Sequence, residues 1–332
     1  MKMKKFINNP ENLTQELLEG LALANKEILT LVEGHLVVSK DLETADRVTV
    51  VTLGGTGHEP ALQGFVGKGM VDIAVCGDIF AAPGPDSCVK AIQMADKGHG
   101  VLFVVLNHSG DMLTANLTMK KIKKMGINVA KVVTQEDISS APREDADNRR
   151  GFVGCVPLYK IAGGAALQGK SLEEVANVSQ RYADNMAAIS VSLRGATHPA
   201  TGGPLAELDE EEMGVGMGQH GEGGGEKIPM ETADVTTDIL MEKVLDDLKI
   251  KSGEKLMVVV NGSGATTLME MLIVYRRAVK HLEEKGIEVV GNMVGEILTV
   301  QETSGFQLFI ARMDNELQSY WNEPCKTPYY SK

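Results

Sequence analysis

The chain has 332 residues, of which 43% are hydrophobic, 23% charged and 4% aromatic, enough for two ordinary domains or one large one with a substantial core. Its 33 Lys and Arg against 45 Asp and Glu give a formal net charge of −12. That balance argues against a nucleic-acid partner, because a binding surface must offer a basic field to the phosphates. No apolar run approaches the roughly 20 residues of a membrane span, and no apolar stretch follows the Lys-bearing start to make a secretory signal. Four cysteines at 76, 88, 155 and 325 form no C-x-x-C pair, so the reducing cytoplasm is the expected compartment.

In chain order, a helix is expected over 12–24, with Asn12 as N-cap, followed by strands over 47–53 and 71–75. A helix over 86–95 with Asp86 as N-cap leads to a strand over 101–106, a helix over 113–125 and a strand over 129–134. Ser171 is the N-cap candidate for a helix over 171–186. Strands over 189–193, 256–260 and 307–312, with helices over 234–248 and 266–284, continue the alternation. Continuous rather than alternating hydrophobicity suits strands covered on both faces, so the fold class is α/β throughout. A domain boundary falls near 183–188, giving an N-terminal α/β domain over 1–185, joined by the C-terminal segment 315–332, and a C-terminal α/β domain over 186–314. The stretch 195–230 is long for a plain connection and reads as a functional loop or a strand-bearing excursion.

The 36 glycines exceed the usual share of about 7% and cluster at 54–57, 163–164, 202–203 and 214–225. Clustered glycine marks backbone that turns sharply or approaches something closely. The first cluster opens Gly54-Gly55-Thr56-Gly57-His58-Glu59-Pro60, directly after a strand, where backbone N–H groups can face a ligand. A dinucleotide fingerprint fits poorly, since Pro60 takes the third glycine's place and Glu59 would face a pyrophosphate. A P-loop fits no better: Gly67-Lys68 is followed by Gly69, and Leu62 stands where the first glycine belongs.

Asn107-His108-Ser109-Gly110-Asp111 follows the 101–106 strand, at the strand end where α/β sheets collect ligands. Asp111 there is either a base or a helix cap, and spacing alone favours the cap. His220, within the glycine cluster 214–225, lacks neighbours that could wall it into a core. It is therefore a solvated loop residue or a presented base, ligand or nucleophile. His58, Glu59, His220 and Glu222 are the metal-ligand types at hand, but none are paired at i, i+4 on an expected helix, so no metal is expected. Cys76 and Cys88 read as small buried hydrophobes, and helical methionines such as Met269 and Met271 as core filler.

Taken in order, these motifs resemble the dihydroxyacetone-binding K subunits of bacterial, phosphotransferase-system-dependent dihydroxyacetone kinases. The resemblance runs from Lys4-Lys5-Phe6-Ile7-Asn8-Asn9-Pro10 through the 54–60 motif, Cys76-Gly77-Asp78-Ile79-Phe80 and Gly110-Asp111. It continues through Arg149-Arg150-Gly151 and 213–222 to Val260-Asn261-Gly262-Ser263-Gly264-Ala265-Thr266. It implies two α/β domains with the substrate site at their interface. It also implies that His220 adds to the ketone carbonyl as a covalent hemiaminal, which selects ketones over polyols. His58 would hydrogen-bond the bound substrate, Asp111 would take the proton of the reacting hydroxyl, and Gly55, Thr56 and Gly57 would line it. On this reading Asp111 is a base rather than a cap.

The same resemblance implies a homodimer that binds no nucleotide, metal or cofactor itself, with ADP and Mg carried by a separate L-type subunit. The end of the sequence at Lys332 without a nucleotide domain fits that division. Departures surround the reactive trio. Leu106 stands where the family usually has a substrate-binding Lys, and Leu53, Thr56, Gly223, Gln219 and Ala81-Ala82 also differ from the pattern. They open the substrate to a longer ketose such as erythrulose. They also leave room for a paralogue that senses the ketone and coactivates a transcription regulator. A nicotinamide oxidoreductase is the third reading.

Overall fold

The computed structural model describes residues 5–33, 35–197, 203, 208–218 and 225–332. They form two compact units. One holds Lys5–Thr134, Cys155–Ala183 and Ser319–Lys332, and the other holds Gln135–Gly154 and Asp184–Gln318. The segment Gln135–Gly154, which the sequence grouped with the N-terminal domain, packs with the later unit.

The first unit comprises α1 (Leu13–Ala24), β1 (Leu29–Val32), β2 (Leu36–Ser39), β3 (Thr49–Thr56), β4 (Ile73–Ile79) and α2 (Pro85–Ala95). It continues with β5 (Val101–Leu106), α3 (Ser109–Met125), β6 (Val129–Thr134), α4 (Cys155–Leu167) and α5 (Leu172–Ala183). Its sheet runs β1-β2-β4-β3-β5-β6, parallel from β4 to β6, with β1 and β2 antiparallel at one edge. Val51, Leu53, Val75, Phe103 and Val105 turn one face onto Cys88, Ala91, Ile92 and Ala95 of α2 and Ala115 and Ile122 of α3. Burial on both faces is why these strands read as unbroken apolar runs.

Local signals explain the helix starts. Ser171 and Glu174 close a capping box: the Glu174 N–H donates to Ser171 Oγ at 3.3 Å, and the Ser171 N–H donates to Glu174 Oε2 at 2.8 Å. Asp86 is not the cap of α2; Gly84 holds that place and Pro85, with its preset φ, starts the helix. α4 is absent from the expected elements. Nearly all of it is buried, so it has no amphipathic period to read, and it contains Gly163 and Gly164. Those two glycines are packing sites rather than ligand turns. A Cβ on Gly163 would lie 2.3 Å from the Gly69 carbonyl oxygen, and one on Gly164 would lie 2.2 Å from that of Tyr320.

The second unit comprises β7 (Met186–Arg194), β8 (Glu212–Val215), β9 (Glu226–Pro229), α6 (Ala233–Leu248), β10 (Lys255–Gly262), α7 (Leu268–Glu284), β11 (Glu288–Glu296) and β12 (Ser304–Arg312). Its sheet runs β11-β10-β12-β7-β8-β9, with only β10 and β11 parallel. The stretch 195–230 carries the β8–β9 pairing, so the strand-bearing reading of it holds. One face of this sheet packs on Leu240, Val244 and Leu248 of α6 and Met271, Val274, Ala278 and Leu282 of α7. The unit boundary at Gln318 falls inside α8 (Asn315–Trp321). No helix among the described residues is long and apolar enough to cross a membrane.

Candidate functional site

The chain order of the first sheet reverses between β3 and β5. These strands lie side by side and parallel, yet β3 leads to its neighbour on one side, β4, and β5 to its neighbour on the other, β6. The segments leaving their carboxyl ends therefore diverge and open a crevice, the usual ligand position in open α/β sheets. The two segments are 54–58 and 107–111, which hold His58 and Asp111. Two adjacent parallel strands, β3 and β5, thus end side by side and bring onto one edge motifs that lie about fifty residues apart in sequence.

The loop after β4 lies against both. A Cβ on Gly55 would come 2.7 Å from the Ala81 nitrogen, and one on Gly57 would come 2.7 Å from the Phe80 ring. Gly57 also has φ +94, so this turn demands glycine on two counts. Phe80, itself at φ 58, lays its ring 5.3 Å from that of His58. On the other side, the Thr114 hydroxyl of α3 donates to the Pro83 carbonyl at 2.9 Å. Phe80–Pro83 is thus a wedge between turn and helix. The sequence singled out no role for it, although Phe80 stood in the family motif.

Not every expected ligand contact remains open. The Gly57 N–H donates to Glu59 Oε1 at 2.9 Å, and Gln63 Nε2 donates to the same oxygen at 2.9 Å. Glu59 is therefore turned inward as a brace for the turn, and burial raises its carboxyl above the usual range despite those donors. Thr56 is fully buried. Its hydroxyl lies 3.1 Å from that of Thr14 and donates to the Gly77 carbonyl at 3.1 Å. Gly55, at the slip in the β3–β4 register between Gly54 and Thr56, is only half-buried.

Asp111 does not cap α3. The helix begins at Ser109 with His108 as the cap residue, which makes no side-chain capping bond, and Asp111 falls within the first turn. Its Oδ1 is buried with no hydrogen-bond partner among the described residues. Burial pushes its carboxyl from 3.8 to about 7, and no cation among the described residues brings it back. The Cys88 thiol and Tyr159 phenol are pushed up chiefly by their own burial, with the Asp111 charge a lesser cause. Tyr159 is held 2.8 Å from the Thr52 hydroxyl of β3. A carboxyl that is buried, unpartnered and titrating near neutrality has the properties of a general base. Leu106, where the family usually has Lys, is buried at the end of β5. His220 and Glu222 lie outside the described residues.

The Dak1 domain family matches residues 19–329. The dihydroxyacetone-binding subunit DhaK of PTS-dependent dihydroxyacetone kinase 2 from Listeria innocua is 34% identical over 99% of both chains. An L-erythrulose 1-kinase of Mycolicibacterium smegmatis is 33% identical; the match takes in 99% of this chain and 58% of that protein. Among solved structures, the dihydroxyacetone kinase of C. freundii superposes with a TM-score of 0.89 at 29% identity, over 99% of this chain and 60% of the other. The dihydroxyacetone kinase operon co-activator Dha-DhaQ also gives a TM-score of 0.89, at 28% identity over 94% and 97% of the two chains. Two mixed sheets with their helices are the fold of those structures, as the α/β reading expected. The chain belongs to the Dak1 family and matches the free-standing DhaK subunits over their full length.

Proposed function

We propose that this chain is the ketose-binding subunit of a phosphotransferase-dependent kinase, presenting a hydroxyl of dihydroxyacetone or a similar short ketose to a phosphoryl donor. The observation that carries the reading is the buried, unpartnered Asp111 carboxylate beside the β3–β5 crevice in a chain of this family. The ketose hydroxyl gives its proton to Asp111, and its oxygen bonds to phosphorus. The phosphorus–oxygen bond of the donor nucleotide breaks, and its electron pair leaves with the nucleoside diphosphate. ADP and Mg belong to a separate L-type subunit and not to this chain. His58 hydrogen-bonds the substrate. His220 adds its unprotonated ring nitrogen to the carbonyl carbon, the C=O π electrons move to oxygen, and that oxygen takes up a proton as the other ring nitrogen gives up its own, leaving the neutral hemiaminal. The roles of both histidines rest on the family resemblance. The working form is a cytoplasmic homodimer.

The test is reconstitution with the nucleotide-binding subunit of the Listeria innocua kinase and a phosphoryl supply, with the ketose followed by phosphorus NMR. Phosphorylated ketose should form only with both subunits present, and Asp111→Asn should slow it by about 10²–10⁴-fold. Turnover by Asp111→Asn at the normal rate would remove Asp111 as the base. A second reading, a ketone-sensing coactivator, is favoured by Leu106 in place of the family Lys and by the likeness to Dha-DhaQ. Under that reading the ketose stays unphosphorylated and drives complex formation with a regulator.

A further inference from the structure

Phe80 follows β4 at φ 58, a backbone conformation that a bulky residue rarely adopts and that glycine adopts freely. Two backbone bonds hold it there. Its own N–H donates to the Thr56 carbonyl at 2.9 Å, and the Ala81 N–H donates to the Asp78 carbonyl at 3.0 Å. The side chain is only half-buried, so filling a core does not account for it. Its ring lies against two neighbouring residues of the 54–60 motif. A Cβ on Gly57 would come 2.7 Å from Phe80 Cε1, so the missing side chain makes room for the ring. The ring centroid lies 5.3 Å from that of the His58 imidazole, with the planes 48° apart, which is contact distance for a tilted pair. Backbone strain of this kind persists where a side chain has to be held at a working position.

We propose that Phe80 is the positioning residue of His58, its ring fixing the imidazole in the orientation that meets the bound ketose. The inference rests on the proposed function, since it needs His58 at the substrate, and it deepens that reading by naming what aims His58. The outer torsion of a histidine is broad, so a rotamer well alone does not direct the ring nitrogens. A flat apolar wall removes part of that range. Hydrogen bonds weaken steeply when misaligned, so a loosely held imidazole would bind the ketose less well. The wall and the turn are both anchored. The Gly57 N–H is tied to Glu59 Oε1, and the segment carrying Phe80 is tied through the Pro83 carbonyl to Thr114 of α3, the helix that holds Asp111. One short segment thereby bears on both reactive side chains of this unit.

The experiment measures the affinity of the full-length chain for dihydroxyacetone and for erythrulose by calorimetry. In parallel, NMR follows the ring signals of His58, identified as those missing from His58→Ala. Phe80→Gly removes the ring and the strain, Phe80→Leu removes the ring but keeps apolar bulk, and Phe80→Tyr keeps the ring. In the first two, the ketose Kd should rise about five- to tenfold, and the His58 Cε1–H and Cδ2–H signals should move as the neighbouring ring current is lost. Phe80→Tyr should regain most of the affinity and the wild-type shifts. Phe80→Gly should melt no lower than Phe80→Leu, because glycine takes this φ without strain. Wild-type affinity in both Phe80→Gly and Phe80→Leu would overturn the positioning role, and so would His58 signals at their wild-type positions in both. Wild-type affinity in His58→Ala would take His58 off the substrate and overturn the reading on which the inference rests. A wild-type chain that binds neither ketose would overturn the proposed function itself.

Discussion

Asp111→Asn should make the protein less active and more stable, and the stability gain should depend on pH. Burial raises the folded-state carboxyl from 3.8 to about 7. The folded chain therefore holds its proton more tightly than the unfolded chain, and stability is lost as pH rises from the unfolded value through the folded one. A span of about 3 pH units at about 1.4 kcal/mol each sets a ceiling of about 4 kcal/mol on that loss. Asp111 keeps some exposure, and solvent screening lowers the expected value to about 1–3 kcal/mol. Asn is isosteric with the protonated acid and escapes the penalty. Urea unfolding of both proteins at about pH 4.5 and about pH 8.5 reads the effect: near-equal stability at the lower pH and a more stable variant at the higher. Turnover should move the other way, with wild-type activity rising through about pH 7 as the carboxylate ionises and a loss of about 10²–10⁴-fold in the variant. A variant no more stable than wild type at about pH 8.5 would refute the buried, unpartnered carboxylate on which this reasoning stands.

Gly163→Ala tests why the second glycine cluster exists. Alanine gains about 1 kcal/mol of helix propensity, but its Cβ would stand 2.3 Å from the Gly69 carbonyl oxygen. Overpacking should win, with a net loss of about 1–3 kcal/mol by urea unfolding, and a stabilised variant would show that α4 is not held this closely. Arg149→Ala should cost about 3 kcal/mol, since it breaks a buried pair but leaves Asp247 its second partner, Arg143. Arg149, 1% exposed, donates to Asp247 at 3.0 and 2.5 Å and to the Ala141 carbonyl at 2.8 Å. A thermal-melt change within noise would demote that pair to a surface contact.

Strands β3 to β5, β7, β10 and β12 were readable because layers on both faces leave their sequences continuously apolar, and β6, an edge strand whose Val129, Ala130 and Lys131 are only half-buried, was readable through its valines. β11, Glu288–Glu296, was not readable: as an edge strand it mixes exposed Glu288 and Asn292 with buried Gly291 and Met293, and no period survives. α4 failed for the opposite reason, being buried all round. The long reach of Gln135–Gly154 into the later unit involves pairings such as Val153 N–H to Gln307 Oε1, which no local pattern encodes. At the site, the residues pointed to Gly54–Gly57 and Asp111, but their spacing made Asp111 a cap. The helix in fact starts at Ser109, four residues before the expected 113 and two before Asp111, without a side-chain cap to announce it. That Gly57 and Thr56 spend their donors on Glu59 and on Gly77 could be seen only once the turn was folded.

The most direct test of the central claim is intact-protein mass spectrometry under gentle ionisation after incubation with dihydroxyacetone and, separately, erythrulose. The account predicts a gain of one whole ketose, without loss of water, that disappears in His220→Ala and persists in Asp111→Asn. Absence of any adduct or binding with both ketoses in the wild-type chain would contradict it.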